Sequence, residues 1–144
     1  MSLRLVVDTN VVVSGLLNSE GSPARVLDLV RDLDAATLLI DDRIIEEYRE
    51  VLARPEFQRA IAPTEAEAFL ALCSSFGEHV PAARIDAVYP DPDDAPFLEV
   101  AVAGRADALV TGNMKHFPTR SGLPILAPAE FLEFAKIVVR RPGS

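Results

Sequence analysis

Acidic side chains recur in this chain at the ends of apolar runs, where a sheet-and-helix protein would gather them. Asp8 closes the run Leu3-Arg4-Leu5-Val6-Val7. Glu47 lies early in an amphipathic segment that follows Thr37-Leu38-Leu39-Ile40, and Asp94 precedes Phe97, Leu98 and Ala101 at helical spacing. Asn113 follows a further apolar run, Ala108-Leu109-Val110-Thr111. Carboxylates brought together repel: two unit charges ~4 Å apart cost ~4 kcal/mol at an effective dielectric of ~20. With no obvious buried Lys or Arg among them, such a group calls for a cation, and oxygen-only donors favour Mg²⁺ or Mn²⁺ over zinc. The chemistry suited to that site is phosphodiester hydrolysis, in which a divalent ion acidifies a water and offsets charge on the leaving oxygen.

Helical geometry selects among neighbouring acids. Ile44, Ile45, Tyr48, Val51 and Leu52 define one apolar stripe; at about 100° per residue Glu47 falls at its edge beside Val51, with Glu46 and Glu50 on the other side. Asp94 falls in the middle of the face formed by Phe97, Leu98 and Ala101, whereas Asp93 and Glu99 do not.

The elements that must position these residues alternate. Residues 3–7, 37–40 and 108–111 read as strands buried on both faces of a parallel sheet. A helix begins near Val11. Another is predicted with Ser22 as N-cap and Pro23 in its first position, and a third over 43–53, stopping before Pro55. Thr64 and Glu67 form a capping-box pattern opening a helix that buries Phe69, Leu70 and Cys73. Residues 79–80 suggest a short strand, Asp93 can cap a helix running to about Gly104, 124–126 an edge strand, and a last helix carries Phe131, Leu132 and Ala135. This is a three-layer α/β/α sandwich with a mostly parallel sheet, one domain over residues 1–139 and a flexible tail over 140–144. In a parallel sheet each strand ends, and each following helix begins, at one edge, which is where open α/β sheets bind ligands. Asp8, Glu47, Asp94 and Asn113 all belong to that edge.

Composition sets the frame. The chain has 144 residues and carries 22 acidic against 14 basic ones, a net charge of −8. That balance is unfavourable for a polyanionic partner unless a cation or a local basic patch intervenes. The lone Cys73 excludes an internal disulfide and a cysteine zinc cage, and points to a reducing, cytoplasmic setting. No signal peptide and no membrane-spanning segment is expected.

In order, Val6-Val7-Asp8-Thr9-Asn10, Ile44-Ile45-Glu46-Glu47-Tyr48-Arg49-Glu50-Val51-Leu52, Asp91-Pro92-Asp93-Asp94-Ala95-Pro96-Phe97-Leu98 and Leu109-Val110-Thr111-Gly112-Asn113-Met114-Lys115-His116-Phe117 resemble the four motifs of PIN domains. The third and fourth are most similar to the VapC-like subgroup assigned as toxins of toxin–antitoxin systems. The resemblance implies an α/β/α fold, Mg²⁺- or Mn²⁺-dependent endoribonuclease activity, homodimers and, for toxins, a sequestering antitoxin protein. It implies Asp8, Glu47 and Asp94 as metal ligands. Asn113 departs from the pattern, since PIN domains commonly carry an aspartate there; an amide brings an oxygen donor without charge.

Thr9, Asn10 and Thr111 are candidates for bonds that orient ligands or water. Lys115, His116 and Arg120 form the basic cluster next to a site motif and are candidates to grip RNA phosphate, against a reading as solvated loop charges. Arg43, Arg49, Arg54 and Arg59 are expected to pair with neighbouring acids on helix surfaces. Two other functions fit the same residues: a PIN-like module that binds RNA or a protein without cutting, and a phosphotransfer or phosphatase domain using Asp8. The phosphatase pattern wants a second Asp at the position of Asn10.

Overall fold

The computed structural model describes residues 2–87, 89, 91–118 and 122–139. Strands β1 (Leu3–Val7), β2 (Ala36–Ile40), β3 (Glu78–His79), β4 (Ala108–Val110) and β5 (Ile125–Leu126) form one sheet in the order β3-β2-β1-β4-β5. Every pairing is parallel. The apolar runs explain the centre: Leu5, Val6, Val7, Leu39, Ile40, Leu109 and Val110 are wholly inaccessible, as strands covered on both faces must be. Leu5 lies opposite both Leu38 and Ala108, and Val7 opposite Val110, so β1 and β4 end side by side.

Among the described residues seven α-helices surround the sheet: α1 (Thr9–Leu17), α2 (Ser22–Arg31), α3 (Asp42–Leu52), α4 (Pro55–Gln58), α5 (Pro63–Phe76), α6 (Ala95–Ala103) and α7 (Pro128–Val139). α2 and α7 pack on each other and on the sheet; α3, α5 and α6 make a second group on it, giving the α/β/α layering. The chain winds from β1 outward through β2 to β3, then returns to place β4 on the other side of β1. The strand order therefore reverses between β1 and β4, which opens a crevice beyond their carboxyl ends.

Three local expectations are corrected. Ser22 lies inside α2, whose N-cap is Gly21 without a side-chain bond; Pro23 in the first turn has no N–H to satisfy, so a polar cap gains less there. The Thr64–Glu67 capping box does not form, because Pro63 starts α5 and Ala62 occupies the cap. Glu99 is buried, at 4% exposure, rather than off the packed face. Its partners come from far along the chain: Arg43 Nη1 donates to Oε1 at 2.6 Å, and the Ile85 amide donates to Oε2 at 2.9 Å. Arg43 also pairs with Asp41, the N-cap of α3. This bridge fastens α3 to α6, the two helices next to Glu47 and Asp94. The expected tail over 140–144 lies outside the described residues. No helix among those described is long and apolar enough to cross a membrane.

Candidate functional site

Asp8 stands where β1 stops and α1 begins. Its backbone amide still donates to Val110 O at 2.9 Å, extending the ladder by one bond, and its side chain caps α1 by accepting from Thr9 N at 2.8 Å. The other oxygen, Oδ2, accepts from Thr111 Oγ1 at 2.8 Å and from Asn10 Nδ2 at 3.2 Å. Asn10 Oδ1 in turn accepts from Gly112 N at 3.0 Å, and Thr111 Oγ1 accepts from Asn113 N at 3.0 Å. The ends of β1 and β4 are thus knotted around one carboxylate, 5% exposed. Burial pushes its pKa up against the pull of those donors, Thr111 foremost.

Glu47 reaches the same place from α3. The stripe predicted for this helix is the one observed: Ile44, Ile45, Tyr48, Val51 and Leu52 are buried, Glu47 is half-buried, and Glu46 and Glu50 are exposed. The helix is anchored by Tyr48, whose buried phenol donates to Val7 O, the carbonyl just before Asp8. Thr9 Oγ1 donates to Glu47 Oε2 at 3.0 Å and links the first two acids. Burial, then repulsion from Asp93, Asp8 and Glu50, raises the pKa of Glu47 despite the Thr9 bond.

Asp94 enters from a 3₁₀ turn, Pro92–Asp94, that precedes α6. Asp91, not Asp93, caps that turn, accepting from Asp93 N at 2.9 Å, so Asp94 is delivered to the first position before α6 with its side chain free of capping. It is 9% exposed, and its Oδ2 is buried with no hydrogen-bond partner. The His116 ring lies beside it, with Nδ1 3.3 Å from Oδ2 but without hydrogen-bond alignment. Burial, then the charges of Asp8 and Asp91, push the Asp94 pKa up to about 6, while His116 and Glu47 act in opposite senses.

These side chains line one cleft of about 510 Å³, with Thr9, Asn10, Asp91, Asp93, Asn113 and His116, and with Val13, Leu17, Val51 and Phe57 as apolar wall. Asp8 raises the pKa of both Glu47 and Asp94, and Glu47 raises that of Asp94, so the three share an electrostatic field, and no arginine neutralises any of them among the described residues. Among the described residues, no group of three or more His, Cys, Asp or Glu side chains is placed so that it could hold a metal ion as it stands. The set is open rather than clenched: Asp8 accepts three hydrogen bonds and keeps acceptor capacity on its two oxygens, Glu47 is held by the Thr9 hydroxyl, and Asp94 offers an unbonded oxygen. A buried carboxylate oxygen with nothing to accept is costly, and a hard divalent cation is the ligand that an all-oxygen set of this charge fits.

The remaining sequence candidates separate. Asn113 is exposed, lines the cleft, and is tied by its backbone to Thr111. His116 lines the cleft, whereas Lys115 is exposed and outside its lining; Arg120 lies outside the described residues. Sequence reasoning missed three charged lining residues. Asp91 and Asp93 sit in the Pro-Asp-Pro-Asp stretch, where a loop hides facing from periodicity. Arg54, expected to pair on a helix surface, lines the cleft and has no ion pair among the described residues. Its signal was Pro55, which forces the preceding residue out of the helix.

Comparison with curated proteins finds no match. The PIN domain family model matches residues 4–115, from the start of β1 through the turn beyond β4, and so spans every side chain of the cleft but His116. PIN domains are generally nucleases that act on nucleic acid with divalent metals. With that match, this sheet order and this acidic crevice, the chain belongs to the PIN-domain family.

Proposed function

We propose that this protein is a Mg²⁺- or Mn²⁺-dependent endoribonuclease, the toxin of a cytoplasmic toxin–antitoxin pair, which acts as a homodimer and is silenced by a cognate antitoxin. The observation that carries the nuclease reading is the buried, unpartnered Oδ2 of Asp94 beside Asp8 and Glu47, both of which raise its pKa. Asp8, Glu47 and Asp94 would hold the ion. When bound, a divalent cation supplies an acidified water and offsets charge on the leaving oxygen. Thr111 and Asn10 aim the Asp8 carboxylate, Thr9 holds Glu47 beside it, and Tyr48 fixes the height of α3 against β1. Asn113 contributes a neutral oxygen at the mouth, and Lys115, His116 and Arg120 grip RNA phosphate.

The test is cleavage of single-stranded RNA with Mg²⁺ or with EDTA. Cleavage is expected only with metal, and Asp8→Asn and Asp94→Asn are expected to abolish it while RNA binding persists. Cleavage that survives both substitutions or the chelator sinks the proposal. A second reading, a module that binds RNA without cutting, draws on the neutral Asn113 and the open donor set; it wins if wild type binds RNA and never cuts it with either metal. Phosphotransfer through Asp8 is disfavoured, because Asn10 stands where the phosphatase pattern wants a second Asp.

A further inference from the structure

The cleft is strongly acidic, yet a polynucleotide must lie across it. Arg54 answers that difficulty. It follows α3 at a distance of four residues from Glu50, a spacing and order that normally make a helix-surface ion pair. The pair does not form, because α3 ends at Leu52 and Pro55 holds Arg54 extended at φ −63, ψ 141. Its backbone is fixed on both sides: the amide donates to Val51 O at 3.1 Å, and the carbonyl accepts from Phe57 N and Gln58 N, each at 3.0 Å. Arg4, Arg25, Arg31, Arg43, Arg49 and Arg84 each pair with a carboxylate. Among the described residues Arg54, Arg59 and Arg105 do not, and of these only Arg54 lines the cleft, with the half-buried Phe57 beside it.

We propose that Arg54 is the substrate-positioning residue on the α3–α4 side of the cleft, its guanidinium forking onto a backbone phosphate next to the scissile one. This rests on the RNA-cleaving reading of the same cleft. A guanidinium suits the task because its planar donor fork matches phosphate oxygens, and because it stays charged beside an acidic centre. Held on a fixed corner rather than a helix face, it fastens the strand without drawing the Asp8, Glu47 and Asp94 carboxylates into ion pairs of their own. Phe57 gives the neighbouring nucleotide an apolar surface to rest on.

The experiment measures binding of a fluorescent single-stranded oligoribonucleotide by anisotropy across a salt series, with cleavage kinetics in parallel. The variants are Arg54→Ala, Arg54→Lys and Arg59→Ala, the last removing an equal charge outside the cleft lining. Arg54→Ala is expected to weaken binding ~10-fold and to flatten the dependence of log Kd on log salt by ~0.7, the loss of one phosphate contact to a single strand. KM should rise by the same factor with kcat little changed, as for a contact made equally in ground and transition states. Arg54→Lys is expected to recover the salt slope and only part of the affinity, and Arg59→Ala to match wild type. Equal weakening by Arg54→Ala and Arg59→Ala, or none by either, overturns the assignment while leaving the nuclease intact. A wild type that neither binds nor cuts RNA overturns the nuclease reading and this one with it.

Discussion

Replacing Asp94 with Asn removes a charge whose cost can be worked out. In the absence of metal, burial and the nearby charges of Asp8 and Asp91 lift the Asp94 pKa to about 6 from its ordinary 3.8. A group whose folded pKa exceeds its unfolded one binds more protons when folded, so stability falls as pH rises from the lower value through the higher. At 1.36 kcal/mol per pH unit the gap amounts to ~3 kcal/mol above the upper value. Part of the side chain, 13%, reaches solvent, and screening by water and salt reduces the expected figure to ~1–2 kcal/mol. Asp94→Asn should therefore stabilise the metal-free protein by that amount at about pH 7.5, raising Tm by ~3–6 °C for a domain of this size. The gain should shrink as pH falls through the folded value and vanish only well below the ordinary 3.8, where the wild-type carboxyl is protonated in both states. Mg²⁺ should stabilise wild type and leave the variant nearly unmoved, since a ligand stabilises only the state that binds it. Urea and thermal unfolding in EDTA and in Mg²⁺, across that pH range, give the answer. A variant no more stable than wild type at neutral pH, or a gain that persists in acid, refutes the account of a charge awaiting a cation.

Further outcomes follow from the same contacts. Thr111→Val removes the donor that most lowers the Asp8 pKa and the acceptor for Asn113 N; it should cost ~1–2 kcal/mol in urea unfolding and shift the acid limb of the pH–rate profile upward. Arg43→Ala leaves the buried Glu99 with only the Ile85 amide. Discounted for the exposure of Arg43, the loss should be ~2 kcal/mol at neutral pH. Because Arg43 helps hold the Glu99 pKa below its ordinary 4.5, that deficit should shrink as pH falls through the folded value; a deficit independent of pH in calorimetry contradicts the bridge. Asn113→Asp adds a carboxylate at the cleft and should lower the Mg²⁺ concentration that half-saturates cleavage, read from a metal titration of the rate.

Much of this architecture was legible in the chain because burial on two faces leaves a signature that local competition cannot erase: Val6-Val7 and Leu39-Ile40 have nowhere else to go. The facing of Glu47 and the burial of Asp94 were legible for a related reason, since spacing within a helix fixes direction. What stayed hidden depends on partners distant in sequence or on competition within one turn. Glu99 reads as a surface residue until Arg43, 56 positions away, is placed against it. The caps at Ser22 and Thr64 looked sound, but a neighbouring proline set the helix start first. Asp91 and Asp93 lie in a proline-stiffened stretch with no period to read. Arg54 carries the right charge and the wrong expected direction, because helix-surface pairing was assumed one residue beyond where the helix could continue.

Asn10 has a consequence of its own. Its amide is read with opposite polarity at its two ends, hydrogens toward Asp8 and oxygen toward the peptide of Gly112, so it cannot be turned over without losing both bonds. A carboxylate there would face another acid with no proton to give, which bars this position to the second aspartate that phosphatase chemistry requires. It also makes the side chain a mechanical link: any shift of the backbone after β4, where Asn113 and His116 reside, must rotate the Asp8 carboxylate or break the link.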